Sequence, residues 1–447
     1  MTAPQMQLAT FMSETHDGVI PIGVRQQASD LIVDSIACAL PAPRHEEYAA
    51  VNRVARLFGS APPCTVLGSA ETLSPAGATL LNGYGATAWT ICDTHPSAAT
   101  HLMPTILPPL LALAETRGIA GRRMLVAAAI GIEVGTRLGH AMGGLKDRGW
   151  HPPGIIGTIA AAAAVSNLLG LAPTPASHAL SLAASQASGP MSAWPTPAVK
   201  LHQFHAALAG LIAATLAEAG FTAPLDELTS ENAGLLTLMA GEPKPDALTA
   251  ALGRDWHLGE VRMREVPGGV GLQLMLRTLG ALSGDIDPAH IEGVTVTFSP
   301  KVYKAHSGVG WPSSSFEALL SVPYLAATIL ATGDLWLDDL EPSRLSDPRT
   351  RAIADVVALE QDPDLVGPQC RVVVRLTAGG EARDESLDIE PLLPLHRNDV
   401  IRKFVRCAGS ASTDAQTIAE DLYQALESDD PRSLHHCLQK LPTQTGT

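Results

Sequence analysis

Apolar positions in the first part of the chain follow a helical period. From Gln26 to about Gly280, apolar residues recur at three- and four-residue spacing between short Gly/Pro segments, which is typical of packed amphipathic helices. Residues 121–142 (GRRMLVAAAIGIEVGTRLGHAM) and 205–220 (HAALAGLIAATLAEAG) show it clearly. Gly220 ends the second segment, as glycine commonly does at a helix C-terminus. The pattern therefore predicts many closely packed helices.

The pattern becomes mixed after Trp256. Ile291–Ser299 (IEGVTVTFS) has the β-branched alternation of a strand, and Cys370–Ile389 predicts two strands around a Gly-Gly turn. Helical segments are predicted between them, at 316–333 and 347–361. This part of the chain is thus expected to combine a small sheet with helices.

A helical period returns near the C-terminus, and this return decides the predicted domain organisation. We expect residues 1–257 and 396–447 to form one discontinuous helical domain, and residues 258–395 to form a smaller α+β domain. The predicted fold class is mainly α. The alanine-rich stretch 154–172 contains Thr, Ser and Asn, which favours a buried helix over a membrane span.

Composition narrows the possible partners. The formal net charge of −15 argues against nucleic acid and anionic membranes as partners. The six cysteines are scattered without a CxxC pair, so neither a disulfide framework nor a zinc ribbon is indicated. The N-terminal residues lack the basic-then-apolar pattern of a signal peptide. We expect a cytoplasmic protein.

One short segment concentrates reactive side chains. Cys92, Asp93, Thr94, His95 and His101 stand within ten residues, directly before an apolar helix. A metal site, proton-transfer chemistry or simple helix capping could each explain this crowding. The chain has no HExxH motif, no paired cysteines and no Gly-rich phosphate loop after a strand. We therefore expect neither a zinc site nor a nucleotide cofactor.

Three other segments carry polar groups near the ends of predicted elements. Abstracting a proton next to a carboxylate needs a base near neutrality, and holding a polycarboxylate needs cations and hydroxyls. Each group also has a structural explanation, because a histidine can cap a helix, a lysine can be a solvated charge and a tyrosine can be a core aromatic. The candidates are His151, then Lys200 with His202 and His205, then Tyr303 with Lys301, Lys304 and His306.

Four segments, in this order, resemble the MmgE/PrpD family, which contains 2-methylcitrate dehydratase and cis-aconitate decarboxylase. The resemblance covers roughly residues 30–430. The segments are CDTHPSAATHLMP (92–104), GWHPPGIIGTIAAAAAVSNLLGL (149–171), VKLHQFHAALAGLIAATLAEAGFTAP (199–224) and SSSFEALLSVPYLAATILATGDL (313–335).

The resemblance implies a set of site residues and a general mode of action. It implies a small polycarboxylate substrate, no metal or organic cofactor, a homodimer, and an α+β domain that acts as a lid. Arg264 stands where relatives often have lysine. The implied catalytic residues are His101, His151, Lys200 and Tyr303, and the implied substrate-binding residues are Asp93, Thr94 and Arg264.

Two departures from the family pattern shape the predicted reaction. Thr90 stands where many relatives have an acidic residue, and Cys92 replaces the first Asp of their Asp-Asp-Thr motif. On this basis the chain looks most similar to the iminodisuccinate epimerase branch. The predicted function is a cofactor-independent isomerase, an epimerase acting on the carbon next to a carboxylate of an amino-polycarboxylate. A hydro-lyase of the 2-methylcitrate type, a cis-aconitate-type decarboxylase and an inactive binding protein are the alternatives.

Overall fold

A computed structural model describes residues 3–98, 100–377, 382–385 (backbone only), 396–409 and 412–444. These residues fall into two compact units. The first lies within Met1–Ala88, Cys92–Met263 and Leu395–Thr447, and the second within Trp89–Ile91 and Arg264–Pro394.

The first unit consists mainly of helices, in line with the 3.6-residue period of its sequence. It also contains two antiparallel ladders of two residues per strand, β1 (Cys64–Thr65) with β2 (Thr72–Leu73), and β3 (Met142–Gly143) with β4 (Glu242–Pro243). The helices before the second unit are α1 Pro4–Glu14, α2 Ile22–Ala39, α3 Tyr48–Ala55, α4 Pro75–Ala88, α5 Met103–Arg117, α6 Gly121–Ala141, α7 Pro152–Leu168, α8 Pro173–Ala184, α9 Ala198–Glu218 and α10 Leu235–Met239.

Helix α7 forms the centre of the first unit. Every one of its residues is buried, and it packs against α5, α6, α8 and α9. Its run of alanines lets neighbouring helices approach closely, because small side chains keep little volume between the backbones. The alanine-rich stretch is therefore a core helix, as its sequence predicted.

The second unit contains five helices among its described residues and one four-stranded sheet. The sheet order is β6-β5-β7-β8, with β5 parallel to β6 and antiparallel to β7, and β7 antiparallel to β8. The turn predicted at the Gly-Gly pair lies outside the described residues. The elements are α11 Gln273–Ser283, β5 Ile291–Phe298, α12 Pro300–His306, α13 Ser315–Ala318, α14 Val322–Thr332, α15 Pro348–Ala354, β6 Val357–Gln361, β7 Cys370–Leu376 and β8 Ala382–Glu385.

The helix predicted over 347–361 is wrong in its second half. Helix α15 ends at Ala354, and Val357–Gln361 forms strand β6 beside β5. The stretch VALEQ has no strong local preference, so pairing with the free edge of β5 decides its conformation.

The last three helices return to the first unit: α16 (Arg397–Ala408), α17 (Ala415–Leu426) and α18 (Pro431–Gln439). Helix α16 packs on α2, and α17 packs on both α2 and α6. Lys403 of α16 places its Nζ 2.6 Å from Oδ1 of Asp34 in α2, and both side chains are buried. A buried ion pair thus joins the C-terminal segment to the N-terminal helices.

The predicted fold class, mainly α with a large helical domain and a smaller α+β domain, is confirmed. The two short ladders correct the expectation that the larger domain is wholly helical. The division between the units falls after Met263, whereas the sequence placed it after residue 257. None of the helices in the described part of the chain combines the length and hydropathy needed to span a bilayer.

Candidate active site

Asp93 holds the loop that precedes α5. Its Oδ2 accepts a hydrogen bond from the backbone N–H of Leu102 at 2.9 Å, and its Oδ1 accepts one from Met103 at 3.1 Å. Both N–H groups belong to the start of α5, where helix donors lack intrahelical partners. The next residue, Thr94, exchanges two backbone hydrogen bonds with Arg262. Asp93 and Thr94 are buried, so their contacts fix the course of this loop.

His101 is oriented by the same loop. Its Nδ1 lies 2.7 Å from the backbone carbonyl oxygen of Asp93. A carbonyl can only accept, so Nδ1 carries the hydrogen and the lone pair of the neutral ring is on Nε2. The ring is partly exposed, which suits a group that must meet a substrate.

His151 pairs with a second histidine at the start of α7. It is the N-cap residue of that helix, and its Nδ1 lies 3.0 Å from Nδ1 of His202 in α9. Burial, together with the nearby His202 and Lys146, lowers the pKa of His151 to about 3. Burial and His205 also lower the pKa of His202. Both rings are therefore neutral at pH 7 and share one Nδ1 hydrogen.

Lys200 is a buried cation in the first turn of α9. Its side chain is only 3% exposed, which excludes the interpretation as a solvated surface charge. The ammonium group donates to the backbone carbonyl of Ala88 at the end of α4. It also lies 3.4 Å from Nε2 of His45. A lysine enclosed in this way needs such acceptors because an unpaired buried charge is costly.

Three helices of this unit contact one another within their first two turns. A Cβ atom added at Gly154 of α7 would lie 3.1 Å from the Cβ of His202 in α9. One added at Gly157 would lie 2.6 Å from Cγ2 of Thr105 in α5. The N-terminal turns of α5 and α9 therefore both lie against the N-terminal turns of α7. Their positive helix-dipole ends favour an anion there, although Asp93 already occupies two N–H groups of α5.

Two candidates belong to the second unit. Arg264 is 1% exposed, and its Nη1 donates to the carbonyl oxygens of Thr90 at 2.7 Å and Gly268 at 3.2 Å. Tyr303 lies in α12 and is partly exposed. The roles predicted for Arg264 and Tyr303 stay predictions.

Sequence reasoning missed a buried polar cluster behind Lys200. It consists of His45, Glu47 and Tyr84. His45 Nδ1 lies 2.6 Å from Oε2 of Glu47 and 2.9 Å from the Tyr84 hydroxyl oxygen. The segment PAPRHEEY (41–48) resembles an ordinary polar turn, so no local signal distinguished it.

A second histidine cluster surrounds Glu260. His95 Nε2 and His140 Nε2 each lie 3.4 Å from Oε2 of Glu260, and His257 Nδ1 lies 2.8 Å from Oε1. The donor atoms of His95, His140 and Glu260 are close enough for a metal. However, His95 Nδ1 accepts the backbone N–H of Ala98 at 3.1 Å. A neutral His95 then carries its hydrogen on Nε2, the atom that would have to bind the metal.

The Glu260 cluster is a group of polar side chains beside the loop that holds Asp93 and His101: His257 donates a hydrogen bond to Glu260, whereas His95 Nε2 has no hydrogen-bond partner among the described residues. Burial lowers the pKa of His95 to about 4, so the ring is neutral at pH 7. Burial would raise the pKa of Glu260, but the hydrogen bond from His257 and the neighbouring histidines lower it. The expectation that no metal is bound stays a prediction.

The buried histidines predict loss of stability in acid. The folded-state pKa of His151, about 3, lies below the unfolded value of roughly 6.5. Above pH ~6.5, His151 does not make the free energy of unfolding depend on pH. Below pH ~6.5, the unfolded chain binds a proton that the folded chain does not bind, and this lowers the free energy of unfolding by ~1.4 kcal/mol per pH unit. We expect His151→Gln to reduce the slope of unfolding free energy against pH by about that amount between pH ~6.5 and ~4.

Urea unfolding at pH 7, 6 and 5 measures this slope. His290→Gln is the comparison variant, because it removes a histidine that is about half exposed instead of a buried one. An unaltered slope in His151→Gln would show that His151 titrates normally in the folded protein.

Comparison with known proteins identifies the family of this chain. Residues 6–248 match the MmgE/PrpD N-terminal domain, and residues 275–427 match the MmgE/PrpD C-terminal domain. The chain belongs to the MmgE/PrpD family. The resemblance seen in the four sequence segments is thereby confirmed at the level of the family.

Curated relatives match over nearly the whole chain. The cis-aconitate decarboxylase-like protein oryM of Aspergillus oryzae is 30% identical over 92% of this chain and 92% of its own length. Cis-aconitate decarboxylase of Aspergillus terreus is 29% identical over 91% and 90%. Cis-aconitate decarboxylase of Homo sapiens is 28% identical over 85% and 82%.

These relatives correct the predicted reaction class. They are named as decarboxylases, which are lyases, so the prediction of an isomerase is wrong. The proposed closeness to iminodisuccinate epimerase is likewise unsupported. That prediction relied on the side-chain types of Thr90 and Cys92, and the similarity to named decarboxylases overturns it.

Proposed function

We propose that this protein decarboxylates cis-aconitate, or a closely similar unsaturated polycarboxylate, without a metal or organic cofactor. The carrying observation is that His101 directly precedes α5, His151 is the N-cap of α7 and Lys200 lies in the first turn of α9, and that these helices contact one another within their first two turns. The similarity to named cis-aconitate decarboxylases over most of the chain supports the same reaction.

The reaction makes simple demands on a protein. One carboxylate of cis-aconitate leaves as CO2, and the electron pair of the broken C–C bond forms a new double bond. The original double bond then takes up one proton at its far carbon, so atoms and electrons balance without an oxidant. The protein must hold the two remaining carboxylates, exclude water from the one that leaves and deliver one proton.

The described side chains suit these three tasks. The ammonium of Lys200 can hold a carboxylate, aided by the dipoles of α7 and α9. The neutral pair of His151 and His202 can donate a hydrogen bond without adding charge, and a buried setting favours neutral CO2 over carboxylate. His101, with Nδ1 fixed on the carbonyl of Asp93, can deliver a proton from Nε2. Arg264 and Tyr303 keep their predicted roles in carboxylate binding and proton transfer.

Incubation with cis-aconitate in D2O, followed by proton NMR and CO2 detection, tests this proposal. We expect CO2 release with one deuterium in each product molecule, because the proton comes from solvent through the donor. Citrate and 2-methylcitrate serve as parallel substrates. Interconversion of alkene and alcohol without CO2 would instead indicate the hydro-lyase alternative.

We also propose that the protein is a homodimer that buries one face of α9. Leu201, Ile212 and Leu216 are all more than one-third exposed and share a face of the helix by their spacing. A row of exposed apolar side chains is typical of an interface.

We expect Ile212→Glu to shift the mass measured by light scattering from dimer to monomer.

Val366→Glu is the matched control, because Val366 is exposed in the second unit and should leave the mass unchanged. A dimer that persists in Ile212→Glu at micromolar concentration would place the interface elsewhere.

A further inference from the structure

The proposed reaction gives no role to the polar cluster of His45, Glu47 and Tyr84, which lies next to Lys200. His45 and Tyr84 are almost completely buried, whereas the side chain of Glu47 is about one-quarter exposed. The cluster forms a chain of polar contacts that runs from Glu47 through His45 to Lys200. Buried polar chains of this kind are costly unless every member is satisfied.

The contacts define which nitrogen of His45 carries the hydrogen. Glu47 Oε2 lies 2.6 Å from Nδ1, and a carboxylate can only accept, so Nδ1 carries the hydrogen. The Tyr84 hydroxyl donates to the same carboxylate oxygen at 3.3 Å. Nε2 of His45 then has a lone pair, which faces the ammonium group of Lys200. Its nitrogen lies 3.4 Å from Nε2.

The charge states agree with this assignment. Burial and the charge of Lys200 lower the pKa of His45 to about 4. Burial alone would raise the pKa of Glu47, but the hydrogen bond from His45 and the charges of His45 and Lys200 lower it to about 2. At pH 7, the neutral imidazole of His45 therefore lies between the Glu47 carboxylate and the Lys200 ammonium.

We propose that His45 is a positioning residue for Lys200, and that Glu47 sets the tautomer that allows it. Nε2 accepts from the ammonium and holds it at the start of α9, while the Glu47 carboxylate offsets the buried positive charge through the imidazole. This inference rests on the proposed role of Lys200 in holding a substrate carboxylate. His45 itself touches no substrate in this scheme.

Nitrogen-15 NMR of histidine-labelled protein tests the tautomer independently of any activity. We expect His45 at pH 7 to be neutral, with hydrogen on Nδ1 and none on Nε2, assigned by comparison with His45→Gln. A resonance pattern with hydrogen on Nε2 would overturn the inference, even if the protein decarboxylates cis-aconitate as proposed.

Steady-state kinetics test the consequence for Lys200. His45→Leu removes the acceptor, and we expect kcat/KM to fall roughly 10- to 100-fold, the effect of losing a hydrogen bond to a charged group. His45→Gln should recover most of this loss, because the amide oxygen can take the place of Nε2. Glu47→Ala changes a less buried position, and we expect a smaller loss of kcat/KM. This variant keeps the test decisive if His45→Leu does not fold.

Glu46→Gln is the matched control, because Glu46 is the exposed neighbouring carboxylate and should leave kcat/KM within about twofold of wild type. Equal losses in His45→Leu and His45→Gln, with unchanged melting temperatures, would contradict the positioning role. If wild type turns over no tested polycarboxylate, the proposed function fails, whereas the NMR result still decides the tautomer.

Discussion

Replacing His101 with Gln should lower kcat for decarboxylation by roughly 10²- to 10⁴-fold, the usual contribution of a positioned general acid. The Nδ1 hydrogen of His101 is committed to the carbonyl of Asp93 at 2.7 Å, so Nε2 must carry the transferred proton. Glutamine keeps a similar length and polarity but cannot exchange a proton near neutral pH. Because the ring is partly exposed, we expect folding to be little affected.

The measurement is initial-rate CO2 release at saturating cis-aconitate, with the fold checked by circular dichroism. His178→Gln is the matched control, because His178 has similar exposure and accepts the backbone N–H of Ala223. Retention of more than about one-tenth of the wild-type kcat in His101→Gln would assign the proton donor to another residue.

Replacing Lys403 with Met should destabilise the helical unit by about 3–5 kcal/mol, the usual cost of removing one partner from a buried ion pair. Lys403 is 4% exposed and Asp34 is 1% exposed, so Asp34 would keep an uncompensated charge in the core. Burial alone would lower the pKa of Lys403, but the Asp34 carboxylate raises it above its ordinary value. The pair is therefore charged throughout the neutral range.

Urea unfolding, followed by circular dichroism, measures the loss as a lower midpoint. The double variant Asp34→Leu/Lys403→Met should recover much of the stability, because an apolar pair avoids the unpaired charge. Lys440→Met is the control: its Nζ lies 3.5 Å from Asp421 at the surface, where an ion pair contributes ~0–1 kcal/mol. Similar midpoints for Lys403→Met and Lys440→Met would contradict the expected role of α16.

Several features of this protein could be predicted from local sequence alone. The helices over Gly121–Ala141 and Pro152–Leu168 and the strand over Ile291–Phe298 follow periods that consecutive residues determine. The family was also recognisable, because its motifs are short segments in a fixed order. The fold class followed from both observations.

The reaction class could not be read from individual side chains. The isomerase prediction relied on the side-chain types of Thr90 and Cys92, and the named relatives overturned it. One fold can host different reactions, so membership of the family does not by itself determine which bond breaks. Whole-chain similarity to named decarboxylases was therefore the stronger guide.

The sequence by itself determined the helical period, the main strand of the sheet and the family of this chain. Only the tertiary structure decided that VALEQ is a strand, that Asp93 caps α5, and that Lys200 meets His45 across 155 positions. The physical reason is that periodicity is a property of neighbouring residues. Hydrogen-bond partners and protonation states depend instead on which distant segments pack together and exclude water.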